Sequence, residues 1–228
     1  MDWSPLWVSL STAIPATIVT FFLGIYTAHK VLSVHYKIRK LLDTLFTLPL
    51  VLPPTVVGFL LLLLFGKNSV LGDILWELGI HIVFTRTAAV LAAIVVAFPL
   101  MYRSAKASFE QLDPKLIYAA RILGLSEAII FWRVHMPNAL PGIVSGTILA
   151  FARALGEFGA TLMIAGNIPG KTQTMPLAIY MAIQEGSQKE AIVWVLLLIA
   201  LSFLMIYIMG YFSADRREER GKQHELEG

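Results

Sequence analysis

The sequence predicts an all-α polytopic membrane protein, a helical bundle with five crossings. Three observations predict it. The 228 residues are 57% hydrophobic and 14% charged, with a mean hydropathy of +0.73, whereas a soluble domain is about 45–50% apolar and about 25% charged. Five apolar runs approach or reach the roughly 17–25 residues that a bilayer requires. The basic residues are divided unequally among the segments that join those runs.

The first run, Leu6–Ala28, contains no charge. The segment before it, "MDWSP", has no Lys or Arg, and the run is too long for a signal core, so it is expected to be retained. The second, Leu41–Phe65, carries only Asp43 near its start. It also contains "LPLVLPPTVVGF", with Pro49, Pro53 and Pro54. Proline removes a backbone donor and kinks a helix, and freed carbonyls inside a membrane must meet protein or a watery cavity. A broken helix is expected here. Pro53 and Pro54 are candidates for lining a pathway, with a purely structural kink as the alternative. The third run, Thr87–Tyr102, is bracketed by Arg86 and Arg103. The fourth, Leu140–Ala165, contains Arg153 and Glu157, and the fifth, Ala191–Phe212, contains no charge. Residues 1–212 thus read as one membrane domain and 213–228 as a charged tail.

Thirteen Lys and Arg residues fall on one side of these spans: Lys30 to Lys40, Arg103 to Arg133, and the tail. Four fall on the other: Lys67, Arg86, Lys171 and Lys189. Positive charge marks the cytoplasmic side, which predicts a multi-pass protein of the cell membrane, N-terminus outside and C-terminus inside. In the outer loop Val70–Phe84, Asp73, Glu77 and His81 recur every four residues, suggesting a short surface helix with one polar face.

The cytoplasmic segment Asp113–Pro141 reads as two short helices. Asp113 caps the first, Pro114 lies in its first turn, and Gly124 makes the joint. Its small residues would leave a shallow surface on which a partner could seat.

Several function classes lose their footing. "AGNIPGKT" (165–172) fits a relaxed phosphate-loop pattern, but an apolar span precedes it and Pro176 follows. The genuine loop sits between a strand and a helix, so an outer turn is the better reading. His29, His35, His81, His135 and His224 show no metal-ligand spacing and read as surface or interfacial residues. With no cysteine there is no disulfide or thiolate chemistry. No nucleophile–base constellation assembles within one compartment, so no catalytic residue is assigned, no cofactor or metal is expected on this chain, and no nucleic acid is expected as a partner.

The 113–141 segment also carries a resemblance. Inner-membrane permeases of ABC importers have a cytoplasmic signature: Glu-Ala-Ala, three residues, Gly, nine residues, an aliphatic, one residue, Leu-Pro. Here Ala119, Ala120, Gly124, Val134, Met136 and Pro137 stand at that spacing, with Tyr118 in place of Glu and Met136 in place of Leu. "PLVLPPTVVGFLLLL" and "FARALGEFGATLMIAGNIPGKTQTMPLAIY" resemble the oxyanion branch of these permeases, and molybdate permeases most of all. The resemblance implies a type I importer transmembrane domain, working as a homodimer in membrane lipid. Two ATPase subunits, using ATP and Mg, would dock on Tyr118–Pro137, and an extracytoplasmic oxyanion-binding protein would deliver the cargo. Molybdate is the expected cargo, with tungstate or sulfate as alternatives. A stand-alone carrier or channel is the competing class, against which stands the scarcity of ionisable groups within the spans.

Arg153 and Glu157 are four residues apart, and Thr161 would continue the same helical face. Lipid is a poor neighbour for a mid-span Arg, which costs about 2.5–3.5 kcal/mol on insertion scales. Two readings stand: a structural pair, or a guanidinium fork offered to a passing oxyanion with Glu157 moderating its grip. Both put this face inside the bundle, as part of the path or its gate.

Overall fold

The computed structural model describes residues 2–226, with side chains to Ile208; no strand occurs among the described residues. Four helical segments are long and apolar enough to cross a membrane, and a bent pair makes a fifth candidate. The five crossings expected from the sequence require the bent pair to count as one span. Three of the boundaries differ in ways that matter.

The first helix, α1 (Ser4–Leu32), is longer than its apolar run at both ends. The second span is two helices, α2 (Tyr36–Val51) and α3 (Pro54–Phe65), bent by 111°. The break lies at Leu52 and Pro53, whereas Pro49 sits inside α2. A residue before proline is pushed out of the α region. Leu52 precedes Pro53 and Pro53 precedes Pro54, so both are extended, at ψ 139° and 135°.

Past the bend, α4 (Val70–Glu77) starts at Ser69, whose side chain accepts from the Gly72 amide. It ends before His81, whose ring is tilted against that of Trp76 with centroids 4.0 Å apart. Asp73, Glu77 and His81 therefore do not share one helical face, because Gly79 turns the chain at φ 74°. The third span, α5 (Arg86–Glu110), runs two turns beyond its apolar stretch. The charges at Arg103, Lys106 and Glu110 end the hydrophobic run but not the helix.

The loop after α5 leads into α6 (Pro114–Ile122) and α7 (Glu127–Ile130), then a π-helical turn, Phe131–His135, and α8 (Met136–Leu155). From Glu127 to Leu155 these form one continuous helical segment. The fourth crossing therefore begins about three turns earlier than the apolar run and stops ten residues before the run ends. After it come α9 (Gly159–Ala165), α10 (Met175–Gln184) and α11 (Gln188–Leu226). The side chains of the 213–228 tail lie outside the described residues.

The core is built on close approach. α5 lies between α1 and α8, and the contacts are made largely by small residues: Ala13, Ala16 and Ala28 of α1, Ala93, Ala97 and Ala105 of α5, and Ala139 and Ala150 of α8, all essentially buried. A Cβ at Gly146 would stand 2.5 Å from Ser104 Cβ, and one at Gly142 would collide with Ser108 Oγ. Small residues let helix backbones meet closely where lipid supplies no hydrophobic drive. Gly156 is different, since its nearest neighbour is its own helix.

Candidate functional site

Two regions gather the residues that the sequence singled out. In the first, the two broken spans meet. A Cβ at Gly58 of α3 would lie 2.7 Å from the Ala160 backbone of α9, and one at Gly159 would lie 3.2 Å from Pro54 and Thr55. Pro54 thus sits directly against the start of α9, and Pro53 forms the bend beside it.

Arg153 and Glu157 belong to this junction, though not as two points on one helix. α8 ends at Leu155, Gly156 caps it, and Glu157 stands in the gap before α9. In an unbroken helix the Ala160 amide would bond to the Gly156 carbonyl. Here it donates to Glu157 Oε1 at 2.8 Å, so the carboxylate caps the new helix. The other oxygen, Oε2, lies 2.5 Å from Arg153 Nη1. Its alignment is that of an ion pair and not of a hydrogen bond. The Glu157 side chain is 1% exposed and that of Arg153 is 29% exposed. The acid is sealed in, while the guanidinium retains an open side. Thr161 is buried on α9. The face expected across 153, 157 and 161 is therefore broken by the helix end at Gly156, and its members meet through a cap.

The second region is the turn between α6 and α7. The Gly124 amide donates to the Arg121 carbonyl at 2.9 Å and the Leu125 amide to that of Ala120 at 3.2 Å. This paired pattern is a Schellman cap, which requires a left-handed residue at the position that Gly124 holds, with φ +75°. Asp113 accepts from the Lys115 amide at 2.9 Å, the cap expected from the sequence, and Ser126 caps the second short helix by accepting from the Ile129 amide. Arg121 holds Glu127 with two hydrogen bonds, 2.7 and 3.2 Å, across the turn.

Around Gly124 the surface is neither small nor shallow. Ile122 is 86% exposed, Leu123 77%, Trp132 66% and Tyr118 61%, while Ala119 is also exposed and Ala120 packs inward. The small residues thus give way to a knob of large apolar side chains, one that water does not favour.

Val134 belongs to the π turn, and Met136 and Pro137 open α8. Pro137 has no amide for the Arg133 carbonyl and its ring needs room there. The ladder widens, and the Met136 amide reaches back to Phe131. The signature's end is therefore a register shift inside a continuous helix, where the sequence suggested a helix boundary.

Behind the π turn, His29 of α1 and His135 pack with Phe109 and Phe131. The His29 ring lies 4.6 Å from that of Phe131 and 5.6 Å from that of His135. Both imidazoles are half-buried, and of the two readings, surface or interfacial, the second describes them better. No sequence spacing connects positions 29, 109 and 135.

A second set also escaped the sequence. Asp43 of α2 accepts from Tyr102 Oη and pairs with Lys106 Nζ at 2.5 Å, and Arg39 pairs with Glu110. This ionic strip ties α2, otherwise without a buried residue, to α5. The signals were a lone Asp in an apolar run and a Tyr–Lys pair at i, i+4, which only the fold brings together.

The 165–172 segment is a closed turn. The amides of Lys171, Thr172 and Gln173 all point to the Ile168 carbonyl, at 3.0, 2.9 and 3.1 Å. Thr172 Oγ1 accepts from the Ile168 amide at 2.9 Å, and Arg86 donates to the carbonyls of Gly170 and Lys171. Among the described residues no group of His, Asp and Glu is arranged to hold a metal.

Residues 20–219 match the family described as "Binding-protein-dependent transport system inner membrane component". The chain belongs to this family. Among its relatives, YvgM of Bacillus subtilis (strain 168) is 46% identical over 91% of this chain and 92% of its own length. The molybdenum transport system permease protein ModB of Escherichia coli (strain K12) is 40% identical over 97% of each chain. A bacterial alginate ABC transporter, solved with an alginate-bound periplasmic protein, matches in fold. Its TM-score is 0.75 at 16% identity, over 93% of this chain and 78% of that one. The fold is that of a type I ABC importer transmembrane domain.

Proposed function

We propose that this chain is the permease subunit of an ATP-driven importer that carries a tetrahedral oxyanion, molybdate, into the cell. One observation carries the reading: the 40% identity to ModB spans 97% of both chains, so the likeness is not confined to one motif or one part of the chain. In this reading the chain works as a homodimer. Two ATPase subunits seat on the Tyr118–Trp132 knob, and an extracytoplasmic binding protein delivers the anion. Five crossings are few to enclose a path, which supports the dimer. The division of basic residues supports an outer N-terminus and a cytoplasmic C-terminus. A reporter fused after Gly228 is expected to be active only as a cytoplasmic reporter.

The chain supplies no nucleotide site in this account. The Lys171 and Thr172 amides of the 165–172 loop are engaged by the Ile168 carbonyl, which supports that view. Arg153 is the proposed contact or gate for the anion. Its planar fork suits an oxyanion, its side chain is partly open, and Glu157 tempers its charge so that the anion is released.

The test is uptake of radiolabelled molybdate by vesicles holding the assembled importer, with tungstate and sulfate as competitors. Uptake that requires ATP and the binding protein is expected, with tungstate competing better than sulfate. Uptake that persists without ATPase and binding protein would identify a stand-alone carrier.

A further inference from the structure

An open groove of about 290 Å³ lies between α2, α1 and α5. Leu23, Leu45, Phe46, Pro49, Ile94 and Phe98 line it. The polar side chain in this lining is Thr27, and its hydroxyl is already donated to the Leu23 carbonyl at 2.6 Å. Phe46 stands edge-on to Phe98 and Tyr102, with centroids 5.5 and 5.2 Å apart, so the back wall is a fixed aromatic surface. Such a groove offers a hydrocarbon chain contact and offers a polar ligand nothing.

The rim has the opposite character. Lys30 is seven residues from Leu23 on α1, hence on the same face, and about 10 Å nearer the helix end. It is exposed, lies 5.8 Å over the ring of the exposed Tyr26, and makes no ion pair among the described residues. Lys37 and Lys40 add positive charge on the first turns of α2. The acids at this level are engaged: Asp43 holds Tyr102 and Lys106, and Glu110 holds Arg39. An apolar groove thus ends in an uncompensated ammonium beside an interfacial tyrosine, at the depth where a headgroup follows its acyl chain.

We propose that this groove binds an anionic phospholipid, with one acyl chain along α1, α2 and α5 and its phosphate at Lys30. Charge complementarity selects this occupant. A second copy of the chain meeting this face symmetrically would bring the same basic rim against it, like charge to like. The lipid would also brace α2, whose other ties to α5 include the Asp43 and Arg39 pairs, near the bend that shapes the junction. Assigning the lipid to the cytoplasmic leaflet rests on the orientation proposed above, whereas the groove and its occupant do not.

Native mass spectrometry of the full chain in detergent tests this without partner subunits or transport, so its failure is separate from failure of the importer reading. The probes are palmitoyl-oleoyl phosphatidylglycerol and palmitoyl-oleoyl phosphatidylcholine, which share acyl chains. The wild-type chain is expected to retain the anionic lipid in preference. Lys30→Gln should weaken that retention about fivefold, as loss of one basic residue at a membrane surface does. Lys30→Arg should preserve it, and Leu45→Trp, which fills the groove, should reduce retention of both lipids. Equal retention of the two lipids, or full retention by Lys30→Gln or Leu45→Trp, would overturn the proposal. So would ready oxidation of Leu45→Cys to a disulfide-linked dimer, which would show a second copy covering the groove.

Discussion

Two of the Arg–Glu pairs among the described residues have similar chemistry and opposite setting. Arg121 and Glu127 bridge the α6–α7 turn with side chains 50% and 69% exposed. Arg153 and Glu157 bridge the α8–α9 break with side chains 29% and 1% exposed. The first pair is the better formed, with two hydrogen bonds against none. Yet water can replace everything that it does. The second has no such substitute, and one of its oxygens also starts a helix. Burial, not geometry, decides which pair the fold depends on. The apolar side chains are arranged the other way round. The exposed turn presents large ones to its surroundings, and the buried junction presses glycine against backbone. The proposed function assigns the first region to docking a partner and the second to the path or its gate.

The largest effect is expected at Glu157. Glu157→Leu strips the cap from Ala160 and leaves Arg153 unpaired, at a cost of about 3–5 kcal/mol, as for other broken buried pairs. Thermal unfolding of the purified chain in detergent should show a large drop, with loss of assembly. A near-normal melting temperature would place the pair's importance elsewhere.

A smaller loss of stability, but a sharp loss of coupling, is expected at Gly124. No atom lies within 4 Å of a Cβ built there, so Gly124→Trp costs only its left-handed backbone, about 1–2 kcal/mol. The variant should insert and remain folded while ATP-driven uptake fails. Normal uptake by a correctly inserted protein would remove the turn from the docking surface. The smallest effect is expected from Arg121→Ala, which should leave the melting temperature unchanged within error. A marked fall would mean that the exposed pair contributes more than its solvation allows.

The contrast also explains what could be read from the sequence. Membrane class, the Pro53–Pro54 break and the capped turn at Gly124 are legible because each depends on local composition or backbone preference. The fourth span was misplaced for an equally local reason. Hydropathy runs straight through Gly156, so the run 140–165 looked like a single helix. Only the Glu157 side chain, competing for the Ala160 amide, shows why it is two. The Asp43–Tyr102–Lys106 strip and the His29–His135 packing join positions about 60 and 106 residues apart. Without relatives to compare, no pattern along the chain links them. The knob at Ile122 and Leu123 was hidden by the signature itself, which draws attention to alanines and glycine.

In the proposed function the Arg153–Glu157 junction serves transport and not only folding. The most direct measurement is Arg153→Gln in the assembled importer, with assembly, basal ATPase activity and molybdate uptake read from the same preparation. Intact assembly and retained basal hydrolysis are expected, with uptake reduced to background. Normal uptake would contradict both the path and the gate roles, and lost assembly would reduce the pair to a structural one.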